Sequence, residues 1–174
     1  LTEDNALRIA YDAVASQDTL VNLTNHSYFN LNGGGSILDH TLRVDADAYA
    51  ESDGGMPTGK LLPVAGTCFD FRKPVVIAEG LKCDCEQLRN TGGYDHNFVL
   101  SPGAPEQICG YSLPAVAEVT SDKLKLTVYT DQKHLQFYIG TMFTGAPALR
   151  GGVAKAPYTG FCMEAQEEPD SPNH

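Results

Sequence analysis

The sequence predicts an all-β protein, a sandwich or barrel of short strands. Three observations predict it. Period-two alternation of apolar and polar residues recurs in many short segments. The 17 Gly and 10 Pro fall mostly between those segments. No stretch of about a dozen residues carries the i, i+3, i+4, i+7 apolar stripe of a surface helix.

The expected strands run over residues 7–14, 19–24, 41–46, 97–100, 113–120, 123–130 and 135–139. The clearest is Lys123-Leu124-Lys125-Leu126-Thr127-Val128-Tyr129-Thr130. Its Leu124, Leu126 and Val128 fall on one face, and Lys125, Thr127 and Tyr129 on the other. Ser121-Asp122 is a two-residue hairpin signal joining this strand to the one before it. Gly33-Gly34-Gly35, Asp53-Gly54-Gly55, Pro57-Thr58-Gly59 and Gly151-Gly152 read as turns or loops. Residues 72–88 have room for a short helical turn, bounded by Pro74 and Gly80. No internal repeat interrupts this order.

A length of 174 residues suits one domain or most of one, and 42% apolar residues can fill a core. The formal charge of -10 speaks against nonspecific binding to nucleic acid or anionic membranes, which rests on Lys and Arg. No apolar run approaches the ~20 residues of a membrane helix, and no signal-peptide pattern opens the chain. The five cysteines are odd in number, and Cys83-Asp84-Cys85 lacks zinc or redox spacing. Reduced, structural thiols in a cytoplasmic protein are expected. Neither His nor Cys spacing marks a metal site. Leu1 already leads into patterned sequence and His174 closes loop-like sequence, so the chain reads as a piece of a longer protein.

Three polar clusters interrupt apolar segments. The first is Asn22-Leu23-Thr24-Asn25-His26-Ser27-Tyr28-Phe29-Asn30-Leu31. An imidazole among aromatics suits acid or base work near neutrality, or else hydrogen-bonds within a turn. The second is Gly92-Gly93-Tyr94-Asp95-His96-Asn97-Phe98-Val99-Leu100. Strand alternation sends Asp95 and His96 to opposite faces, so one of them lines any pocket there. An Asx turn at Asp95 is the plainer reading. The third is Thr159-Gly160-Phe161-Cys162-Met163-Glu164-Ala165-Gln166. Glu164 and Gln166 share a face opposite Met163 and Ala165. A carboxylate held among apolar neighbours gains basicity by desolvation, whereas a surface glutamate does not. His40 and His134 have no comparable setting.

Together the clusters resemble the galactose mutarotase (aldose 1-epimerase) family. Asn22 through Leu31 carries the resemblance most specifically. Pro57-Thr58-Gly59, Gly66-Thr67 with Asp70-Phe71-Arg72, Gly93-Tyr94-Asp95-His96-Asn97-Phe98, Gln136-Phe137-Tyr138 and Glu164-Ala165-Gln166 with Pro169-Asp170 follow in the family's order. The resemblance implies a large antiparallel β-sandwich, with this chain part of a single such domain. It implies an aldose 1-epimerase interconverting α and β anomers of hexoses such as galactose and glucose, without metal or organic cofactor. His26 then falls on the general acid and Glu164 on the general base. Asp95 falls on a sugar-hydroxyl ligand and Gln136 on a further polar contact. The family's substrate-binding Arg and second active-site His correspond to positions upstream of Leu1.

Two alternatives accompany this reading: a noncatalytic sugar-binding module of the same fold, and an epimerase of hexose phosphates. The latter needs several Arg at the sugar phosphate, whereas Arg43, Arg72, Arg89 and Arg150 are scattered. The acid–base reading carries two geometric expectations. His26 and Glu164 should face each other across a cleft about a sugar ring apart. Asp95 should point into that cleft and His96 away from it.

Overall fold

Short alternating segments separated by Gly, Pro and Asp leave little besides sheet as a way to pair backbone groups. The computed structural model describes residues 2–3, 5–145 and 148–173, without the side chain of Arg150. Leu1 and His174, read above as ends of a piece, lie outside the described residues, as do Asp4, Ala146 and Pro147. The strands are β1 Thr41–Val44, β2 Ala46–Asp53, β3 Met56–Pro63, β4 Val75–Val76, β5 Asp95–Leu100, β6 Glu106–Ile108, β7 Tyr111–Leu113, β8 Ala115–Thr120, β9 Lys125–Tyr129, β10 His134–Tyr138 and β11 Cys162–Gln166. Two short helices, α1 Ile77–Gly80 and α2 Glu86–Thr91, occupy the helical stretch and extend slightly past it.

All strand pairings are antiparallel. One sheet has the order β4-β1-β8-β9 and a second the order β11-β10-β5-β2-β3, while β6 and β7 form a hairpin. Leu42, Val44, Val116, Ala117 and Val119 of the first sheet share one core with Tyr49, Phe98, Leu135 and Phe137 of the second. The fold is therefore an antiparallel β-sandwich, as expected. The loop aromatics Phe69, Phe71 and Tyr94 complete that core. Their rings meet mostly edge-on, as in Phe69–Tyr94 at 5.5 Å and Phe71–Tyr94 at 5.1 Å.

Several sequence expectations need correction. Residues 7–14 and 19–24 form no strand. Their alternation is real, but among the described residues no strand accepts the backbone hydrogen bonds of these two segments, whose one hydrogen-bonded tie to a neighbouring chain stretch is the Asn22 side chain on Glu167, and Val14 is 96% exposed. Pro57-Thr58-Gly59 is not a turn. It lies inside β3, where the register jumps from Ala50↔Leu61 to Ser52↔Pro57. The extra residues form a bulge on an edge strand, the place where a sheet tolerates Pro. Asp53-Gly54-Gly55 does turn the chain: Asp53 pairs with Met56, and both glycines take positive φ, at 56° and 86°. Residues 121–124 make a longer turn than two residues, closed by Ser121 N–H to the Leu124 carbonyl at 2.9 Å. Leu124 thus leaves the strand and is exposed.

Candidate functional site

Alternation gives the five-stranded sheet two unlike faces. Gln136 of β10 stands opposite Asn97 of β5 and Glu164 of β11, and Tyr138 stands opposite Asp95 and Cys162. Side chains at paired positions share a face. One face thus carries Asp95, Asn97, Gln136, Tyr138, Cys162 and Glu164. The other carries His96, Phe98, Leu135, Phe137 and Met163 into the core. Gly140 lets the chain leave β10 close to Gly160, two residues before β11. Its φ is +67°, and a Cβ there would lie 2.6 Å from the Gly160 carbonyl oxygen.

A segment far upstream covers the polar face. Asn22 donates to the Glu167 carbonyl at 3.2 Å and accepts from Glu167 N–H at 3.1 Å. Seven positions on, Phe29 and Phe161 exchange backbone hydrogen bonds of 2.8 and 2.9 Å. Residues 22–29 therefore run antiparallel along β11, fastened at both ends. That register carries His26 over Cys162 and Glu164. His26 Nε2 lies 3.5 Å from Glu164 Oε1, and His26 Nδ1 lies 3.4 Å from Cys162 Sγ. Tyr28 and Tyr138 wall the imidazole, with ring centroids 5.2 and 6.1 Å from it. Tyr28 in turn stacks on Phe143 at 4.1 Å.

The electrostatics follow from burial. Glu164 is 6% exposed. Desolvation raises its pKa, His26 opposes the rise, and the charge of Asp95 adds to it. Desolvation also raises Asp95, against the Gln136 Nε2–H that donates to Asp95 Oδ1 at 2.8 Å. Burial, with Glu164 and Asp95 nearby, pushes the Cys162 thiol up, so it stays protonated. Tyr28 is pushed up to about 12, chiefly by burial. No Lys or Arg among the described residues makes an ion pair with Asp95 or Glu164. Gln136 Oε1, both amide atoms of Asn97 and Ser52 Oγ are buried without a hydrogen-bond partner among the described residues. Asn97, Gln136 and Ser52 line a small cavity beside Asp95 and Pro169. Unsatisfied donors and acceptors on a cleft wall suit a hydroxylated ligand.

The fold thus brings together His26, Glu164, Asp95 and Gln136, the four residues singled out in the sequence. Asp95 lies on the cleft face, and His96 on the opposite face against Phe69, with ring centroids 4.6 Å apart. One expectation fails: His26 and Glu164 touch instead of standing a sugar ring apart, since a half-exposed imidazole folds onto the nearest buried carboxylate. Sequence reasoning missed Cys162, Asn97 and Tyr138. Each reads as ordinary strand filling, and register alone reveals its place. His40 is structural: its Nε2 accepts from Leu31 N–H at 3.0 Å and its Nδ1 meets Asp39 at 2.9 Å. The described Arg side chains are engaged elsewhere, Arg8 over the Tyr111 ring, Arg43 with Asp45 and Glu118, Arg72 with Asp70 and Asp47, and Arg89 with Asp84.

Comparison with known proteins defines the class first. A solved galactose 1-epimerase from Lactobacillus acidophilus shares this fold with a TM-score of 0.69 at 34% identity, over 85% of this chain and 40% of that one. A solved protein from C. elegans, described as an aldose epimerase homologue, shares the fold with a TM-score of 0.69 at 24% identity, over 88% of this chain and 44% of that one. The aldose 1-epimerase of Escherichia coli K12 is 43% identical over all of this chain and 49% of its own length. The galactose mutarotase of Pongo abelii is 42% identical over 96% of this chain and 47% of its own length. The family model for aldose 1-epimerase matches residues 1–174. The chain belongs to the aldose 1-epimerase family, and it spans about half the length of the curated relatives it matches.

Proposed function

We propose that this chain carries the acid–base centre of an aldose 1-epimerase acting on hexoses such as galactose and glucose, as part of one β-sandwich domain. The observation that carries the reading is the contact of His26 with the buried Glu164, beside the Asp95–Gln136 pair. Glu164 takes the proton of the C1 hydroxyl. The freed electron pair forms the C1 carbonyl, the bond from C1 to the ring oxygen breaks, and that oxygen takes the proton offered by His26. Rotation about C1–C2 presents the other carbonyl face. Ring closure then returns both protons and leaves the opposite anomer. Protons alone are exchanged, so the reaction calls on no metal or organic cofactor.

The short His26–Glu164 distance fits this chemistry. The hydroxyl and ring oxygens are both bonded to C1, so an acid and a base that touch can each reach one of them. Asp95 and Gln136 hold hydroxyls and fix the pose. Cys162 against Nδ1 orients the imidazole. A module that only bound sugar would have no use for a buried base against an acid. An epimerase of hexose phosphates would need Arg at the cleft, whereas Arg43, Arg72 and Arg89 are paired with carboxylates. The five free thiols support a reducing, cytoplasmic setting. Among the described residues no helix is long and apolar enough to cross a membrane. Polarimetry on freshly dissolved α-galactose and α-glucose tests the reading in the intact gene product. Decay to the equilibrium rotation at many times the buffer rate is expected. A buffer-like rate with sugar bound would leave the binding module.

A further inference from the structure

We propose that His26, Cys162 and Glu164 form a binding site for a thiophilic divalent cation of the zinc type, occupied in competition with the sugar. The three donors are an imidazole nitrogen, a thiol sulfur and a carboxylate oxygen, all within 4.8 Å of one another. Zinc holds such donors at ~2.0–2.3 Å in a tetrahedron. Glu164 faces Nε2 and Cys162 faces Nδ1, so the exposed imidazole turns to offer one nitrogen to an ion that both other donors reach. The 3.5 Å between His26 Nε2 and Glu164 Oε1 is already near a tetrahedral edge. Cys162 and Glu164 are two apart on β11 and therefore share a face, and the fastened segment 22–29 holds His26 above them. His26 is half exposed, which leaves the fourth position open to water from the cleft.

Charge favours the same conclusion. On binding, the thiol releases its proton, and the thiolate and the Glu164 carboxylate balance a dication, with the imidazole neutral. A half-buried site then carries no net charge. Asp95 adds negative potential, and no Lys or Arg among the described residues pairs with Glu164 or Asp95. A nitrogen, sulfur and oxygen set selects zinc or cobalt over magnesium or calcium. The ion takes up the imidazole and the carboxylate that proton transfer uses, so it inhibits. That competition rests on the epimerase reading, while the binding itself does not.

Cobalt(II) alone, titrated into the reduced full chain, tests the site. A near-ultraviolet thiolate-to-cobalt band with four-coordinate visible bands is expected, and excess zinc should bleach both. The bands should persist when Cys68, Cys83, Cys85 and Cys109 are all replaced by Ser, and vanish in Cys162→Ser. His26→Gln, a change at an exposed side chain, should weaken cobalt binding at least ~10-fold, since even partners outside the ligand shell contribute ~10–100-fold. Circular dichroism checks that each variant is folded. No band at saturating cobalt overturns the proposal, and so does a band that survives Cys162→Ser. In the intact enzyme zinc should raise KM for sugar at constant kcat, and a fall in kcat at constant KM overturns the competition. A cobalt band in a protein without mutarotation refutes the epimerase reading alone. Mutarotation without a band refutes the ion site alone.

Discussion

On the proposed reading, Glu164 serves as a base because it is buried. Desolvation destabilises the carboxylate, and His26 offsets that by contact. In the intact enzyme, Glu164→Gln keeps a group that can hydrogen-bond the C1 hydroxyl but cannot take its proton. We expect kcat to fall by the ~10²–10⁴-fold typical of general base catalysis, with KM nearly constant. Initial-rate polarimetry across substrate concentration checks this, and a large KM rise with little change in kcat would make Glu164 a binding residue. His26→Asn should lose a similar factor. The double variant should lose less than the product, because both groups serve one transition state. His96, one residue from Asp95, does different work. It is buried in the core, and burial pulls its pKa from the ordinary 6.5 down to about 4. Below 6.5 the unfolded chain binds a proton that the folded chain refuses. Its contribution is therefore complete above pH 6.5 and is lost as pH falls toward 4. A shift of that size is worth about 3 kcal/mol at most. His96→Phe keeps a ring against Phe69 and removes the titration. Urea midpoints of the two proteins, compared from pH 7 to pH 4, should show wild type losing ground steadily. Parallel pH profiles would clear His96 of that role.

The element that makes the site is residues 22–29, which is neither helix nor strand. Its two fastenings, Asn22 on Glu167 and Phe29 on Phe161, set its register against β11. Asn22→Ala removes both side-chain bonds, together worth about 1–3 kcal/mol, and lets His26 drift from Glu164. The expected result is a fall in kcat while KM, set by Asp95 and Gln136 on the sheet, moves little. Asn22→Asp keeps an acceptor for Glu167 N–H and should recover part of the loss. Unchanged kcat in Asn22→Ala would mean that Phe29 alone positions the segment. Elements differ in how far the sequence reveals them. β10 and β11 are legible because polar and apolar residues alternate along most of their length, and in β5 alternation separates Asp95 from His96; the register then puts Asp95, Gln136 and Glu164 on one face. β3 is hidden by Pro57-Thr58-Gly59, which has turn composition and serves as a bulge. Cys162 is hidden because a thiol among apolar residues carries no local sign of its partner, and only the long-range register supplies His26.

At the scale of the molecule, the five-stranded sheet separates two environments. One face closes the core against the four-stranded sheet, and the other carries Asp95, Gln136 and Glu164, the proposed hydroxyl ligands and base, under His26, the proposed acid. Precision comes from support on both sides: β10 lies between β5 and β11, and β11, at the sheet edge, is fastened on its outer side to residues 22–29. Residues 7–21 are the opposite case. Strand-like alternation covers residues 7–14 and begins again at 19, yet the backbone groups of residues 7–21 have no hydrogen-bond partner among the described residues. Leu7 at 56%, Val14 at 96% and Leu20 at 76% exposure bury little apolar area. Amide exchange tracks local opening, so the two regions should separate widely. Deuterium uptake of the 174-residue chain, read by mass spectrometry, should be complete over residues 7–21 at the earliest time point. β5 and β10 should be the slowest segments, and the edge strand β3 should fall between. Raising the protein concentration should leave this order unchanged if the extended segment is bare in solution. Protection of residues 7–21 comparable to that of β10 would show that they are paired, and protection that grows with concentration would identify the pairing partner as a second copy of the chain.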